Sequence, residues 1–159
     1  MTDEKALQSL LNAVVDGSLS TDAAFSQLKD LAYESVGDFA KIDHHRSLRT
    51  GFPEVIWGQD KTPEQIARIM GVMGQHNQVV MATRITPEVY TCLQPKVRNL
   101  RYYESARICA IVPSNVEVRY SGTIGILTAG TADLPVAEEA AVTAELSGFK
   151  VTRLWDVGV

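Results

Sequence analysis

Short apolar runs alternate along this chain with longer stretches in which apolar residues recur every three to four positions. The short runs are typical of β-strands, and the three-to-four spacing is typical of helices that bury one face. The predicted strands lie at 39–43, 55–57, 78–83, 100–104, 107–112, 122–127 and 149–154. Because helical stretches separate several of these strands, the pattern predicts an α/β fold.

The first 37 residues predict a helical hairpin. An apolar stripe over residues 3–16 precedes Gly17, and a second stripe runs from a cap at Ser20 or Thr21 to Ala32, before Gly37. About 35 residues bury too little apolar surface to be stable alone. We therefore expect residues 1–37 to serve docking or oligomer contacts rather than chemistry.

Residues 38–116 predict a small α/β domain. Thr62 and Pro63 begin one of its helices, which turns Ile66, Ile69, Met70 and Met73 inward. The polar, interrupted stretch at 113–121 then predicts a boundary, and residues 117–159 begin a further unit.

That further unit opens with a strand, a turn of small residues and a helix start, in the stretch GTIGILTAGTADLPVAEEA from Gly122. Ile124, Ile126 and Leu127 predict a buried strand, and the turn directs free backbone N–H groups outward. Such a turn at the carboxyl edge of a parallel sheet is where α/β proteins bind phosphates and nucleotides.

Asp133 in this turn has two interpretations. It stands where a helix N-cap belongs, before Pro135, and Glu138 and Glu139 would favour the positive end of the helix dipole. Alternatively its carboxylate faces a ligand, where it would bind ribose hydroxyls or help move a proton. The hydroxyls of Thr128 and Thr131 could contact a phosphate.

A second loop begins after the strand at 149–154. Asp156 lies in it, and loops that follow neighbouring parallel strands open on the same edge of the sheet. A two-stranded unit would leave unpaired edges and one uncovered sheet face, so we expect the sequence to be a fragment of a longer protein.

A polar stretch, DHHRSLRTGFPEVIWG from Asp43 to Gly58, is the other candidate for chemistry. Arg46 and Arg49 would share a helix face and could bind a carboxylate or phosphate, with Glu54 orienting one of them. The alternative is a solvated, salt-bridged surface helix. A metal site is disfavoured, because adjacent histidines point apart and no third ligand is evident.

The bulk composition narrows the function classes. The 159 residues are 45% hydrophobic and 21% charged, as in a globular protein, and the net charge of −4 disfavours nonspecific nucleic-acid binding. No apolar run is long enough to span a membrane and no signal peptide is recognisable, so a cytoplasmic location is expected. Cys92 and Cys109 are predicted to be buried thiols, and no nucleophile emerges from the residues.

Two motifs together resemble the LarB family. GTIGILTAGTADLPVAEEA, with the YSG before it and the SGFKVTRLWDVGV after it, closely resembles the start of that family's PurE-like domain. DHHRSLRTGFPEVIWG resembles a motif of its N-terminal region, so the resemblance covers most of residues 38–159. It implies the first βαβ part of a PurE-like, doubly wound parallel sheet after the hairpin and the small α/β domain.

The resemblance implies a role in nickel-pincer nucleotide biosynthesis, which serves lactate racemase. The family carboxylates the pyridinium ring of nicotinic acid adenine dinucleotide with carbon dioxide or bicarbonate. It then cleaves the phosphoanhydride, giving AMP and pyridinium-3,5-dicarboxylate mononucleotide. The implied mechanism is covalent, through a cysteine thiolate that adds to the ring. That cysteine is expected beyond Val159, so this chain is predicted to be inactive by itself.

Nine residues are implied to bind nucleotide. They are Thr128, Ala129, Gly130, Thr131, Ala132, Asp133, Asp156, Val157 and Gly158. No metal and no tightly bound cofactor are expected, and the full-length protein is expected to be a homo-octamer that binds neither nucleic acid nor membrane. Two alternatives stay open: a PurE-type aminoimidazole ribonucleotide carboxymutase, and a non-catalytic nucleotide-binding module.

Overall fold

The computed structural model of the protein describes residues 2–28, 33–43, 46, 50–76, 78–113 and 118–158. Its contacts divide the chain into two compact units, Met1–Glu54 and Val55–Val159. The predicted α/β class is confirmed by the helices and by the mixed and parallel sheets. The predicted domain limits at residues 37 and 116 stay predictions.

The smaller unit contains two helices and a two-stranded antiparallel sheet. Its elements are α1 (Thr2–Val15), α2 (Thr21–Leu28), β1 (Tyr33–Val36) and β2 (Ala40–Asp43). The helical pair and the strand before Asp43 are confirmed. The strand β1 was missed, because its pairing partner β2 lies beyond a turn at Gly37, whose φ of 56° favours glycine. The end of the second predicted stripe, at residues 31 and 32, lies outside the described residues.

The larger unit begins with a four-stranded sheet and two helices. They are β3 (Val55–Trp57), α3 (Pro63–Met73), β4 (Val80–Thr83), α4 (Pro87–Leu93), β5 (Leu100–Tyr103) and β6 (Ile108–Ile111). The sheet order is β3-β4-β6-β5, with β3 and β4 parallel and the other neighbours antiparallel. The four strands and the start of α3 were predicted within a few residues.

The start of α3 shows why the sequence predicted these helices well. The Thr62 side chain accepts a hydrogen bond from the Gln65 N–H, while the Gln65 side chain accepts one from the Thr62 N–H. This capping box satisfies N–H groups that the first turn leaves free, and Pro63 needs no such partner. The four predicted inward residues, Ile66, Ile69, Met70 and Met73, are all buried.

The four-stranded sheet is covered on both faces. On one face Tyr90 of α4 stacks on Tyr102 of β5 at 4.6 Å, and Gly74, which follows α3, lies close to Ile111. The opposite face carries a cluster that joins the sheet to a helix from further along the chain. Its buried members are Met81, Ala106, Ile108, Ala110, Val142 and Leu146. The sheet is therefore the middle of three layers.

That further helix belongs to a parallel strand–helix–strand segment. Its parts are β7 (Thr123–Leu127), α5 (Leu134–Leu146) and β8 (Lys150–Leu154). Val142 and Leu146 lie on the side of α5 toward the four-stranded sheet, whereas Glu138 and Glu145 pair with Arg153 of β8. The helix α5 thus contacts both sheets of the larger unit.

The prediction that β7 is a buried strand is wrong. Leu127 is 61% exposed and Ile124 is 37% exposed. The reason is that α5 covers one face of the β7–β8 pair, and no described residue forms a layer on the other face. In the part of the chain that the structure describes, no helix is long and apolar enough to cross a membrane.

Candidate functional site

The candidate site lies at the edge where β7 and β8 both end. After β7 the chain passes through Thr128 to Gly130, makes one 3₁₀ turn at Thr131–Asp133, and enters α5 at Leu134. After β8 it continues through Trp155 into the segment 156–158. We call residues 128–133 the first loop and residues 155–158 the second loop.

Hydrogen bonds join the two loops. The Thr128 N–H donates to the Leu154 carbonyl at 3.0 Å, and the Thr128 carbonyl accepts from the Val157 N–H at 2.9 Å. The Thr128 hydroxyl oxygen accepts from the Asp156 N–H at 3.1 Å. The predicted meeting of the two loops at one sheet edge is thereby confirmed.

The backbones of the two loops also approach closely at Gly158. Its N–H donates to the Ala129 carbonyl at 2.9 Å, and a Cβ added at Gly158 would lie 2.3 Å from that carbonyl oxygen. Asp156 adopts a φ of 56°, a left-handed conformation that aspartate tolerates better than most residues. Packing of the second loop against the first therefore requires a glycine at position 158 and, at position 156, a residue that tolerates the left-handed conformation.

The predicted nucleotide-binding residues differ in exposure. Thr128 is buried, at 5% exposed, and its hydroxyl oxygen is engaged with the second loop. Gly130 is half-buried, and a Cβ there would meet nothing within 4 Å. The remaining members are exposed: Ala129, Thr131, Ala132, Asp133, Asp156, Val157 and Gly158. Contacts of all nine with a nucleotide stay predictions.

Asp133 occupies the N-cap position of α5, yet the capping interpretation of its side chain is wrong. Its φ of −85° and ψ of −10° are helical, and its carboxylate makes no capping hydrogen bond. A capping side chain needs extended backbone to reach the N–H groups of the first turn, whereas Asp133 ends a 3₁₀ turn. The exposed carboxylate is therefore not used in capping the helix.

Glu138 and Glu139 also differ from their predicted role at the helix dipole. Both lie beyond the first turn of α5, where the dipole has little effect. Glu138 pairs with Arg153 at 3.4 Å, and Glu139 pairs with Arg84 at 3.1 Å. They connect α5 to the sheets on either side of it.

Of the two arginines that pair with α5, Arg153 makes the stronger connection. Its guanidinium donates to both carboxylate oxygens of Glu145, at 2.5 and 2.7 Å, and hydrogen bonding to Glu145 raises the pKa of Arg153 above its ordinary value. Two parallel N–H···O bonds fix direction as well as distance. They hold β8, and the second loop that follows it, in a fixed position against α5.

Trp57 and Arg84 were missed by the sequence analysis. Trp57 is the last residue of β3, and Arg84 directly follows the last residue of β4, which pairs with β3 in parallel. The Arg84 guanidinium lies over the Trp57 ring, 5.4 Å from its centroid. Arg84 has a φ of 59°, and its Nε–H is buried without an acceptor among the described residues. The signal that could have found them is the parallel pairing of 55–57 with 80–83, which puts both strand ends at one edge.

The polar stretch from Asp43 to Gly58 is described only in part. Arg46 is exposed and its carbonyl accepts from the Thr50 hydroxyl, whereas Arg49 lies outside the described residues. The Glu54 carboxylate accepts a hydrogen bond from the Asp43 N–H at 2.7 Å. Anion binding by the arginines and their orientation by Glu54 stay predictions.

The two cysteines do not share an environment. Cys109 is buried as predicted, and burial raises its pKa from 9.0 to about 12. Cys92 is exposed on α4, so that prediction is wrong; the neighbouring Leu93 takes the inward position of the helix. Cys109 pairs in register with Tyr102, on the sheet face that α4 covers. Both thiols thus lie on the side of the sheet opposite to α5.

No group of three or more His, Cys, Asp or Glu side chains that could hold a metal ion occurs within the described ranges. His44 and His45 lie outside those ranges.

Comparisons with known proteins identify the family. An uncharacterized protein of Methanocaldococcus jannaschii is 37% identical over 162 residues, an alignment that covers 98% of this chain and 62% of that protein. The chain thus spans less than two thirds of the length of this relative. The pattern of the LarB/PurE-like N-terminal domain matches residues 33–113, which is half of the chain. The chain therefore belongs to the LarB family.

Proposed function

We propose that this chain forms the first wall of the nucleotide site of a pyridinium-ring carboxylase. The protein to which it belongs would carboxylate nicotinic acid adenine dinucleotide and hydrolyse its phosphoanhydride in nickel-pincer nucleotide biosynthesis. Family membership supports a carboxylase-type protein. The substrate, the hydrolysis, the cytoplasmic location and an octameric assembly are parts of the proposal.

The observation that carries the proposal is the pair of joined loops at the carboxyl edge of β7 and β8. Backbone N–H groups near the start of a helix favour negative charge, and small residues allow a ligand to approach closely. Gly130 provides such an approach, because a Cβ there would fill open space. Thr131 and Asp133 are exposed beside it.

The exposed side chains can be given separate roles. The hydroxyl of Thr131 can donate to a phosphate oxygen, and the carboxylate of Asp133 can accept from ribose hydroxyls. Thr128 acts indirectly, since its hydroxyl oxygen holds the Asp156 N–H and so sets the distance between the loops. In this proposal the second loop limits how far the ligand can move.

The covalent step is assigned to a thiol other than the two cysteines of this chain. A thiolate is the reactive form, and burial keeps Cys109 protonated at neutral pH. Cys92 lies on α4, across the four-stranded sheet from α5. The chain by itself is therefore proposed to bind the dinucleotide without carboxylating it.

Calorimetric titration of the purified chain tests this function. Nicotinic acid adenine dinucleotide should bind, Asp133→Asn should weaken binding, and aminoimidazole ribonucleotide should bind less tightly. Asp22→Asn, at an exposed position of α2, serves as the matched control. Preference for the aminoimidazole ribonucleotide would favour the carboxymutase alternative. Production of the dicarboxylate by this chain would refute the assignment of the covalent step.

A further inference from the structure

A second surface of the larger unit has the chemistry of a nucleotide subsite. Trp57 is 52% exposed, although tryptophan usually buries most of its ring. The Arg84 guanidinium lies over that ring, and its Nη2 pairs with the Glu139 carboxylate at 3.1 Å. The indole and the guanidinium over it are two planar groups, each partly exposed, and together we call them the Trp57–Arg84 platform.

Arg84 is held in this place at a cost. Its left-handed backbone is strained for a residue with a side chain, and a buried N–H without an acceptor is unfavourable. The Glu139 pair and the indole contact offset part of that cost. An incoming acceptor could use the Nε–H once the guanidinium turns outward, and such a turn would change the surroundings of the Trp57 indole.

The platform lies within reach of the first loop along α5. Glu139 is six residues after Asp133, and at about 1.5 Å per residue the two are separated by about 9 Å along the helix axis. Val136, which shares the Glu139 side of the helix by its i, i+3 spacing, is 60% exposed between them. One extended ligand can therefore contact the loop and the platform together.

We propose that the Trp57–Arg84 platform binds the adenylate half of the dinucleotide, by stacking of the base and by donation from Arg84 to a phosphate or ribose oxygen. The inference rests on the proposed function. Bases stack well on aromatic rings and on arginine planes. The guanidinium attracts a phosphate and can stack on a neutral base, whereas stacking on the pyridinium ring is disfavoured because that ring is itself cationic, although it carries a carboxylate. The pyridinium half is therefore assigned to the two joined loops.

The two tryptophans of the chain give a direct test. Trp155 lies in the second loop, so Trp155→Phe leaves Trp57 as the only indole, and Trp57→Phe leaves Trp155. Fluorescence of each variant is followed during titration with AMP, with nicotinic acid mononucleotide and with the dinucleotide. AMP and the dinucleotide should change Trp57 emission. The mononucleotide should change Trp155 emission alone.

Substitution of Arg84 tests its contribution to AMP binding. Arg84→Lys keeps the charge but loses the planar guanidinium, and it should weaken AMP binding about tenfold. Arg98→Lys, at an exposed position after α4, is the matched control and should leave AMP binding unchanged. Circular dichroism of each variant checks that the fold is retained.

The possible failures are distinguishable. If the dinucleotide changes Trp155 emission and leaves Trp57 unaffected, the inference is refuted while the proposed function stands. If calorimetry detects no binding of any nucleotide, the proposed function fails and the inference fails with it. If Trp57 emission depends on protein concentration but not on nucleotide, the platform is an interface between copies, which also refutes the inference.

Discussion

The two sheets of the larger unit contain similar apolar residues, but the side chains of the two sheets differ in exposure. In β4 the side chains of Val80, Met81 and Ala82 are at most 1% exposed. In the β7–β8 pair, Leu127 and Leu154 face each other in register and are both about half exposed or more. The difference arises because helices cover both faces of the inner strands β4 and β6 of the first sheet, whereas α5 covers one face of the second.

This contrast distinguishes the sheet that acts as a scaffold from the strand pair that carries the candidate site. The inner strands of the four-stranded sheet, β4 and β6, are buried on both faces, and their packing fixes the position of α5. The β7–β8 pair keeps its carboxyl edge open, with two loops held together by hydrogen bonds. Rigidity from one sheet and access at the other are what a binding site requires.

The largest expected effect concerns thiol reactivity in the two sheets. In a Cys92→Ser background, Cys109 should react with iodoacetamide at least about a hundredfold more slowly than a cysteine placed on β8 by Thr152→Cys, because its side chain is fully buried and burial raises the pKa of its thiol to about 12. Mass spectrometry of timed samples measures both rates. Equal rates would show that the four-stranded sheet opens readily in solution.

The same raised pKa has a consequence for stability. The neutral Cys109 thiol stabilises the fold fully below its ordinary pKa of 9.0, and this contribution is lost as the pH rises through about 12. Cys109→Ala should therefore reduce the loss of stability over that range, as measured by urea unfolding.

The second effect compares side chains of similar size in the two regions. Met70→Ala, in the fully buried face of α3, should lower the free energy of unfolding by about 2–5 kcal/mol. Leu127→Ala should change it by no more than about 0.5 kcal/mol, since Leu127 is mostly exposed. Urea unfolding measures both. A large loss at Leu127 would mean that another surface covers this face in solution.

The third effect distinguishes the loops from the scaffold. Gly158→Ala should destabilise the unit by about 1–3 kcal/mol and abolish nucleotide binding, because the new Cβ would collide with the Ala129 carbonyl. Gly130→Ala has room for its Cβ, so it should weaken binding without changing unfolding. Calorimetry and urea unfolding separate the two outcomes. Unchanged binding in both variants would argue against the joined loops as the site.

The smallest expected effect concerns the Arg153–Glu145 ion pair between β8 and α5. Arg153→Lys keeps the charge and loses the paired hydrogen bonds to Glu145, at a cost below about 1 kcal/mol since both side chains are partly exposed to solvent. Hydrogen exchange should increase at the second loop before it increases at β4. Faster exchange at β4 first would contradict the division between site and scaffold.

Local sequence signals predicted the elements of the larger unit because those signals act over a few residues. Thr62, Pro63 and Gln65 define the start of α3 through contacts with their own backbone. The meeting of the two loops was also predictable, because parallel strands end at the same edge. The strand β1 was missed because its pairing with β2 is what stabilises it.

Parts of the candidate site depended on contacts between distant residues. The partner of Glu139 is Arg84, 55 positions away, and no local pattern connects them. The helical conformation of Asp133, which leaves its carboxylate out of the cap, comes from the 3₁₀ turn before α5. The Trp57–Arg84 platform exists only because β3 and β4 pair in parallel.

The sequence by itself determined the α/β class, the helix starts and the turn between β7 and α5, because capping groups, proline and the apolar period act locally. Tertiary structure alone decided which of the strands are buried and which charged side chains meet. It did so because burial depends on how many layers cover a strand. The packing of α5 against two sheets gave the turn of small residues a fixed support and brought Glu139 to Arg84.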